Sequence, residues 1–438
     1  VYVSGTPGAL TSATSSATGT LDFMVIPSAG YKVTSVTAAA YGTVTGNCTG
    51  YTISDVEGAT TVTVSTSAIS YSGSWADNRD TGWYTTYSGE TSMPIADAAD
   101  LAAFAYEVNT DTNHEKFDGK IVYLTADIDL SAHEWVPIGG QWDNSNGYPP
   151  SGNNYFEGTF DGKDKIISGM YIDIARSGIG LFGNCCKGRI ANVTVCGDVA
   201  VSTGYAAVGG IVGYTNGSIF NCTSNVNVHC ASVSNVGGVA GVVENKCAEG
   251  DDADRSLVQY CTNNGNVSST STRIGGVIGA TYVTYTTQSN EEVISVDRCT
   301  NNGPVTTSSS AYKTFIGGII GYCQSTISNS INTGTINSSS GATGHRMGGV
   351  VGILNGWSSI YAKMANCINI GTIINGYPGG TYDGALCYEE SGTTLDDSFY
   401  IDTPYGYQTQ RGTYTDLVMQ LTASKLKSEL NHYVSGTN

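Results

Sequence analysis

The stretch GGIVGYTNGSIFNCTSNVNV, residues 209–228, contains the two elements that decide the fold. It opens with paired glycines and apolar residues, passes through a turn, and ends in Asn-Cys followed by alternating valines. Both elements return along the chain at irregular spacing. The glycine element recurs as GIGLFG (178–183), GGIVGY (209–214), GGVAGV (237–242), GGVIGA (275–280), GGIIGY (317–322) and GGVVGI (348–353).

The second element follows most copies of the first. It reads NCTSNVNV (221–228), YCTNNGNV (260–267), RCTNNGPV (298–305), NSINTGTI (329–336) and NCINIGTI (366–373). When the copies are aligned, they form a column of Cys or Ser, a column of Asn or Ser, and a column of Val or Ile. These columns are Cys222, Cys261, Cys299, Ser330 and Cys367; Ser224, Asn263, Asn301, Asn332 and Asn369; and Val228, Val267, Val305, Ile336 and Ile373.

Such a repeat predicts a solenoid. One unit cannot bury its own apolar face, whereas units stacked at the strand spacing of about 4.8 Å bury a continuous interior. Val and Ile columns fill that interior, Asn columns form hydrogen-bonded ladders, and paired glycines allow tight corners. We therefore predict an all-β fold, a parallel β-helix over residues 117–412. A β-propeller is the alternative, but it needs four-stranded units of about 40–45 residues, and these units are shorter and uneven.

The flanking segments differ from the repeats in their sequence pattern. Residues 1–70 alternate apolar and polar positions between Pro, Gly and Asn turns, which predicts a small β-sandwich (immunoglobulin-like) module. Residues 71–116 are assigned to a linker and an amphipathic helix, with Asp97 as its N-cap, that covers the N-terminal end of the solenoid. Residues 413–438 are assigned to a C-terminal helical segment, because 421–434 carries a second helical pattern.

Composition narrows the functional classes. The 438 residues include 57 Gly, only 13% are charged, and the net charge is −18. Such a surface repels phosphate backbones and anionic lipids, so we expect no nucleic-acid partner. No apolar run reaches the roughly 20 residues of a membrane helix, so we expect no membrane insertion. No signal-peptide pattern precedes Val1, and we expect it to begin a mature form or a recombinant fragment.

The twelve cysteines fit packing positions better than a disulfide framework. A residue that alternates with Ser330 in one column is a small buried residue, and free Cys behaves as one. We predict mostly reduced, structural thiols. Two pairs deserve a test for disulfides, Cys185 with Cys186 and Cys247 with Cys261, while Cys48 has no local partner. Paired Cys-x-x-Cys motifs of zinc sites are absent.

The order of motifs resembles a known family. The helix AADLAAFAYEVN (98–109) is followed by F-x-GK-x-x-x-L-x-x-DIDL (117–130), W-x-PIG (135–139), F-x-GTFDG (156–162) and GLFG (180–183), and then by the repeats. This set looks like bacterial surface proteins that carry GLUG motifs, over roughly residues 93–434. The resemblance implies a β-helical stalk of a secreted or cell-surface bacterial protein, as in adhesins and some immunoglobulin A proteases.

Candidate catalytic groups are sparse. Alternation places Asp127 and Asp129 on one face, so a carboxylate pair is possible, although turn and ladder hydrogen bonding is the simpler interpretation. The five histidines lie in no triad motif, and G-x-S-x-G and HExxH are absent. No cofactor is predicted apart from possible calcium in an acidic loop, with the candidate ligands Glu249, Asp251, Asp252 and Asp254.

The sequence favours a binding site over a catalytic site. Aromatic residues occur in predicted loops and at strand edges, and exposed aromatic rings stack on sugars and anchor protein partners. The candidate ligand-binding residues are Trp142, Tyr148, Tyr155, Tyr282, Tyr312 and Trp357. We therefore expect an adhesin-like extracellular protein whose partner is a glycan or a host surface protein. Two alternatives remain: a carbohydrate-active β-helix enzyme, either a hydrolase or a lyase, and a passive stalk that projects other domains.

Overall fold

The repeats build a solenoid of parallel strands, as the computed structural model of the chain shows. The structure describes residues 2–3, 19–25, 27, 30–39, 42–56, 60–111, 113, 115–140, 154–174, 176, 178–201, 207–231, 234–245, 256–283, 293–309, 313–338, 345–356, 362–375, 383–384, 386–389, 393–396, 398–401, 413–414 and 419–421. Within these residues, no helix has the length and hydropathy needed to cross a bilayer.

Successive coils pair in parallel along three sheets. The wide sheet contains Ser92–Ile95, Ile121–Leu124, Ile128–Asp129, Thr159–Ile172, Arg189–Val201, Ser218–Phe220, Thr223–Cys230, Ser256–Gln259, Thr262–Asn263, Val267–Ser269, Ile294–Asp297, Thr300–Asn301, Val305–Thr307, Thr326–Ser328, Ile331–Asn332, Ile336–Ser338, Ala362–Ala365, Ile368–Asn369, Ile373–Asn375, Thr393–Asp396, Phe399–Ile401, Thr413–Tyr414 and Met419–Leu421. The seven-stranded sheet contains Phe182–Cys185, Val212–Thr215, Ala240–Glu244, Ile278–Tyr282, Ile320–Cys323, Val351–Leu354 and Cys387–Glu389. The six-stranded sheet contains Ala207–Val208, Asn235–Gly237, Arg273–Gly275, Phe315–Gly317, Arg346–Gly348 and Asp383–Gly384. The predicted β-helix-like solenoid is thus the observed architecture.

The aligned sequence columns are stacks in space. Val228 pairs with Val267, Val267 with Val305, and the column continues through Ile336 and Ile373. These side chains are buried, as are most inward positions of all three sheets. Burial of apolar surface at roughly 25 cal/mol per Å² on every coil is what stabilises the stack.

The asparagine column forms the predicted ladder. Nδ2 of Asn263 donates to Oδ1 of Asn301 at 2.9 Å, Asn301 donates to Asn332 at 2.8 Å, and Asn332 donates to Asn369 at 2.9 Å. Each Nδ2 also donates to a carbonyl oxygen two residues ahead in its own turn. These amides are at most 2% exposed. Their buried polar atoms are therefore hydrogen-bonded, as buried polar groups must be.

The glycine corners and the ladder touch, which explains why the two sequence elements occur together. A Cβ on Gly276 would collide with the carbonyl oxygen of Gly318 on the next coil and with the side chain of Asn301. One coil earlier, a Cβ on Gly238 would meet the side chain of Asn263 in the same way. Only glycine leaves room for the neighbouring backbone and the ladder amide at this corner.

The residue before each Cys or Ser of the second element adopts a left-handed conformation. Its φ lies between 49° and 56° at Asn221, Tyr260, Arg298, Asn329 and Asn366, and Asn192, which precedes Val193 one coil earlier, has a φ of 54°. Asn tolerates this conformation better than most residues, because its short side chain bonds locally. The side chain of Asn221 donates to that of Asn192 at 3.0 Å, and Asn366 donates to Asn329 at 3.2 Å. Asparagine pairs on neighbouring coils therefore bridge this outer corner at two places.

The cysteine column is a packing column. The eight free cysteines among the described residues, including Cys222, Cys261, Cys299 and Cys367, are all buried. Sγ of Cys222 contacts the carbonyl oxygens of Phe220 at 3.4 Å and of Ile190 on the preceding coil at 3.7 Å. A small weak donor suits this position, which is why Ser330 can replace it. The prediction of mostly reduced structural thiols is confirmed.

Both disulfide pairings that the sequence suggested are wrong. Cys185 and Cys261 are free thiols, so neither the pair Cys185–Cys186 nor the pair Cys247–Cys261 exists. Cys185 and Cys186 are neighbours along an extended segment, where successive side chains point to opposite faces. Cys186 is nevertheless disulfide-bonded. Cys48 does have a partner, Cys196 of the wide sheet, at a sequence separation of 148.

Thiol alkylation should distinguish native from unfolded protein. Burial raises the pKa of Cys222 and Cys261 well above the ordinary thiol value, and that of Cys185 and Cys367 to about 12. Because the thiolate is the reacting form, iodoacetamide at pH 8 should modify these sites at least roughly tenfold more slowly in native than in denatured protein. Peptide mass spectrometry gives the extent at each site. Rapid native labelling of any of these sites would contradict the packing role.

The segment that precedes the strand Ile121–Leu124 is packed against the solenoid. It contains a 3₁₀ turn at Trp75–Asp77, helix α1 at Trp83–Tyr87 and helix α2 at Ala98–Thr110. Asp97 caps α2 as predicted, accepting hydrogen bonds from two backbone amides of the first turn. Phe104 of α2 contacts Phe117 and Phe156, with ring centroids 5.1 and 5.3 Å apart. The part expected to be a linker is anchored by two buried tryptophans, Trp75 and Trp83, which are 9% and 1% exposed.

The N-terminal strands form two small sheets. Tyr2–Val3, Gly19–Val25, Gly50–Val56 and Thr43–Asn47 make one sheet, and Tyr31–Ala38 pairs with Val62–Ala68 in the other. The disulfide from Cys48 ties this region to the outer face of the wide sheet. Hydrogen bonds from Asn225 and Asn227 to backbone carbonyls of Cys48 and Pro27, both 3.1 Å long, lie along the same seam. At the other end of the chain, the predicted helix at 421–434 falls almost entirely outside the described residues, and Met419–Leu421 is a strand.

Candidate functional site

Two of the predicted ligand-binding residues lie in described parts of the structure. Tyr155 and Tyr282 are both half-buried, and both pack against a small cluster that contains Tyr214 and Val242. The others lie outside the described residues, as do all four candidate calcium ligands. These are Trp142, Tyr148, Tyr312 and Trp357, and Glu249, Asp251, Asp252 and Asp254. Among the described residues, no group of three or more His, Cys, Asp or Glu could hold a metal ion.

Tyr282 belongs to a larger group of aromatic and cationic residues, which we call the tyrosine–arginine cluster: Arg273, Tyr282, Phe315, Tyr322 and Arg346. Phe315 is 8% exposed, and the other four are half-buried. In the six-stranded sheet, Arg273 pairs with Phe315 and Phe315 pairs with Arg346. The residue that follows each of them is apolar and fully buried. Alternation along the strand therefore directs the three side chains away from the interior.

The rings hold the guanidinium of Arg273. Its central carbon lies 5.6 Å from the ring centroid of Tyr282 and 5.2 Å from that of Tyr322. The two tyrosine rings are 5.5 Å apart, and Phe315 lies 5.6 Å from Tyr322. Arg346 lies over Phe315 at 5.5 Å. Cation–π contacts of this kind contribute about 0.5–2 kcal/mol each and restrict the position of the cation.

Hydrogen bonds fix the tyrosines. The hydroxyl of Tyr282 donates to Oδ1 of Asn235 at 3.1 Å. The hydroxyl of Tyr322 accepts from Gln324 at 3.1 Å and from Asn355 at 2.7 Å. Burial raises the pKa of Tyr282 to about 12, although the charge of Arg273 opposes the shift. Tyr282 therefore remains a neutral hydrogen-bond donor at physiological pH.

Nε of Arg273 is buried and has no hydrogen-bond partner among the described residues. Arg298, on the outer corner of the wide sheet, is different. Its guanidinium donates to Asp297 at 2.7 Å and to the hydroxyl of Tyr260 at 3.0 Å. The cluster thus presents a cation that is positioned by aromatic rings, while the cation at the corner is already neutralised.

A groove of about 400 Å³ lies on the wide sheet beside the N-terminal region. Its lining residues are Asp173, Ala200, Val201, His229, Cys230, Ala231, Ser268, Ser269, Thr270, Thr306, Thr307, Ser308 and Asn337. Nδ1 of His229 lies 2.7 Å from Oγ of Ser268, and its Nε2 lies 3.6 Å from Oδ2 of Asp198. Stacking of three coils thus aligns a serine, a histidine and an aspartate, which sequence motifs did not indicate.

This alignment lacks the electrostatics of a nucleophilic triad. The 3.6 Å separation of His229 and Asp198 is too long for a hydrogen bond, and Nε2 of His229 is an unpaired buried atom. Burial lowers the pKa of His229 to about 4, which makes it a weak general base. A triad needs an oriented, ionised carboxylate beside a basic imidazole. The groove therefore lacks the arrangement of a Ser-His-Asp nucleophilic triad.

Comparison with known proteins identifies no family for this chain. No family model matches it, and no curated protein matches it. A solved structure of a Bacteroides ovatus protein, described as a candidate immunoglobulin A1 protease, is similar with a TM-score of 0.46 and 17% sequence identity. The match covers 78% of this chain and 87% of that chain. A similarity at this level does not support assigning the activity of that protein to this chain.

The motif carboxylates of the early coils make structural hydrogen bonds. Oδ1 of Asp127 accepts from the backbone amide of Ile166, and Oδ1 of Asp129 accepts from that of Ser131, both at 2.9 Å. Asp161 forms a 2.8 Å ion pair with Lys163. These contacts agree with the turn and ladder interpretation of the motif rather than with a catalytic carboxylate pair.

Asp198→Asn should change how stability depends on pH. Asp198 is 2% exposed, and burial raises its pKa to about 7, against roughly 4 when unfolded. A raised pKa contributes stability that is complete below the unfolded pKa and is lost as pH rises through 7. Between pH 5 and 7.5, the free energy of unfolding should therefore fall by about 1–3 kcal/mol more in wild type than in the variant.

Urea unfolding at several pH values measures this difference. His229 has a depressed pKa, and its contribution has the opposite slope, but His229 is present in both proteins and its effect largely cancels in the comparison. His229→Gln is the matched control, since it should remove the opposite slope. Parallel curves for wild type and Asp198→Asn would mean that Asp198 stays ionised.

Proposed function

We propose that this chain is an adhesin-like, extracellular protein of a bacterium that binds glycans, or a host protein that carries them, through the outer face of its solenoid. One observation carries the proposal: the tyrosine–arginine cluster gathers aromatic rings around Arg273, whose Nε has no hydrogen-bond partner among the described residues. The resemblance to GLUG-motif surface proteins supports the extracellular location of the chain.

The chemistry of the cluster suits sugars. Aromatic rings pack against the C–H faces of pyranoses, and tyrosine and arginine are the residues that most often dominate binding surfaces. Here the rings project from paired strands whose backbones are fixed by the neighbouring coils. Little side-chain entropy is then lost on binding, which favours affinity from a small contact area.

The proposal also covers two architectural details, the cap of the solenoid and the N-terminal module. We propose that α2 is the N-terminal cap of the solenoid, because its buried Leu101, Phe104 and Val108 cover apolar side chains of the first coils. We propose that residues 1–70 are a β-sandwich module held against the wide sheet by the Cys48–Cys196 disulfide. A cap protects an otherwise exposed strand edge, and a docked module limits access to the groove from one side.

Retention and fragment analysis on immobilised glycans tests the proposal. The purified chain is passed over host mucins and plant polysaccharides, with calcium or with chelator, and both retained protein and released sugar fragments are measured. We expect retention without fragments. Tyr322→Ala should lower retention at least roughly tenfold, whereas Tyr260→Ala should have little effect, because Tyr260 lies on a different corner.

The other outcomes separate the alternatives. Released fragments would favour the carbohydrate-active enzyme, and the groove beside His229 would be the first place to mutate. Retention that disappears with chelator would favour the acidic loop of Glu249 and Asp251 over the cluster. No retention on any glycan would overturn the proposed binding function and leave the passive stalk.

A further inference from the structure

Resting on the proposed glycan-binding function, we propose that Arg273 is the anchor of a site for sugar acids: pyranoses that carry a single carboxylate. The carboxylate accepts two hydrogen bonds, one from Nε and one from a terminal nitrogen of Arg273. The rings of Tyr282 and Tyr322 form the wall against which the sugar lies.

The unpaired Nε is the first argument. Nε of Arg273 is buried and lacks an acceptor among the described residues, although the side chain as a whole is only half-buried. A buried donor without an acceptor costs about 1–3 kcal/mol, and more when the group is charged. Because Nε has less than 1 Å² of accessible surface, the guanidinium must turn outward for a ligand oxygen to reach it, and the hydrogen bond that then forms would recover that cost. The side-on edge of a guanidinium, Nε with one terminal nitrogen, matches the spacing of two carboxylate oxygens.

The immobilised geometry is the second argument. Rings lie 5.6 and 5.2 Å from the guanidinium carbon, and the ring of Tyr282 is held in turn by its hydrogen bond to Asn235. A cation that is already positioned loses little freedom when it binds an anion. Arg298 shows what an arginine does when a partner is available nearby, since it pairs with Asp297.

Charge decides the class of anion. The net charge of −18 repels polyanions over a Debye length of about 8–10 Å, so acidic peptides and nucleic acids are disfavoured. A sugar acid with one carboxylate experiences little of this repulsion and also offers an apolar face to the rings. Glu244 is close enough to raise the pKa of Tyr282, but its carboxylate accepts the hydroxyl proton of Tyr214 at 2.9 Å. Its charge is therefore partly compensated by that bond.

A matched pair of ligands tests the assignment. Methyl glycosides of glucuronic acid and of N-acetylneuraminic acid are compared with their methyl esters, which keep the ring and remove the charge. Affinities are measured by isothermal titration calorimetry with the full chain. We expect wild type to bind at least one acid at least tenfold more tightly than its ester. Arg273→Gln should abolish this preference, and Arg273→Lys should restore only part of it because a lysine cannot donate side-on.

Arg298→Gln is the control, since it removes an arginine that already has partners. It should leave the preference for the acid intact, and circular dichroism checks that all variants are folded. Equal affinity for acid and ester in wild type would overturn the sugar-acid site while leaving glycan binding in place. Failure to bind any sugar or immobilised glycan would overturn both. Tighter binding of a hexaglutamate peptide than of any sugar acid, lost in Arg273→Gln, would also overturn the assignment by pointing to an acidic protein partner.

Discussion

Gly303→Ala should remove most of the stability of the solenoid. Gly265, Gly303, Gly334 and Gly371 occupy the same turn on successive coils, directly after the asparagine ladder. A Cβ on Gly303 would collide with the carbonyl group of Gly265 and lie 3.0 Å from Nδ2 of Asn263. Both obstacles are held in place by the stack, so the coil must separate or distort.

The expected loss in the free energy of unfolding is about 4 kcal/mol or more, at the upper end of single-residue effects. Chemical denaturation followed by circular dichroism measures it, and soluble yield on expression is a second readout. Gly89→Ala is the matched control. Gly89 lies in an exposed turn where a Cβ would meet nothing within 4 Å, so its substitution should be neutral. Similar stabilities for the two variants would contradict a tightly stacked turn.

Asn301→Leu should have the second-largest effect. The side chain of Asn301 is fully buried, donates to Gly303 and Asn332 at 2.8 Å, and accepts from Asn263 at 2.9 Å. Leucine has a similar size but removes all three bonds. The substitution leaves Nδ2 of Asn263 without its acceptor. The carbonyl oxygen of Gly303 and Oδ1 of Asn332 each lose a donor inside the stack. At about 1–3 kcal/mol for each such group, we expect a loss of about 3–5 kcal/mol.

The neighbouring residue provides the control. Asn302 carries the same side chain one position further along, on the outer face, where it donates to Asn264 at 2.8 Å. It is half-buried, and water can replace its partner. Asn302→Leu should therefore cost less than about 1 kcal/mol. If both substitutions have the same cost, the interior ladder contributes no more than an ordinary surface hydrogen bond.

The asparagine ladder shows how far sequence reasoning reaches for the fold. Alignment of the second element placed Asn263, Asn301, Asn332 and Asn369 in one column, and the structure joins them by hydrogen bonds. The inference worked because a solenoid converts sequence periodicity directly into spatial stacking. The left-handed corner at Asn221 and Asn366 escaped notice, although its column immediately precedes the Cys column.

The tyrosine–arginine cluster shows where sequence reasoning stopped. The pattern of loop and edge aromatics predicts Tyr282 as a binding residue, but it does not indicate Arg273, Phe315 or Arg346. A signal was present, because these three residues each lie two positions before a pair of glycines, in RIGG, FIGG and RMGG. The register alone does not reveal the site, since the rings that hold Arg273 come from a different sheet.

The sequence by itself determined the solenoid, its interior columns, the glycine corners and the buried state of most thiols. These features either depend on neighbouring residues or repeat from coil to coil. Stacking therefore places equivalent residues of successive coils above one another. Only the tertiary structure decided that Cys48 pairs with Cys196, that His229 lies between Ser268 and Asp198, and that Tyr282 and Tyr322 enclose Arg273. Those contacts join different sheets, coils or regions of the chain. Loop lengths and the docking of the N-terminal region set their geometry, and no repeat period encodes it.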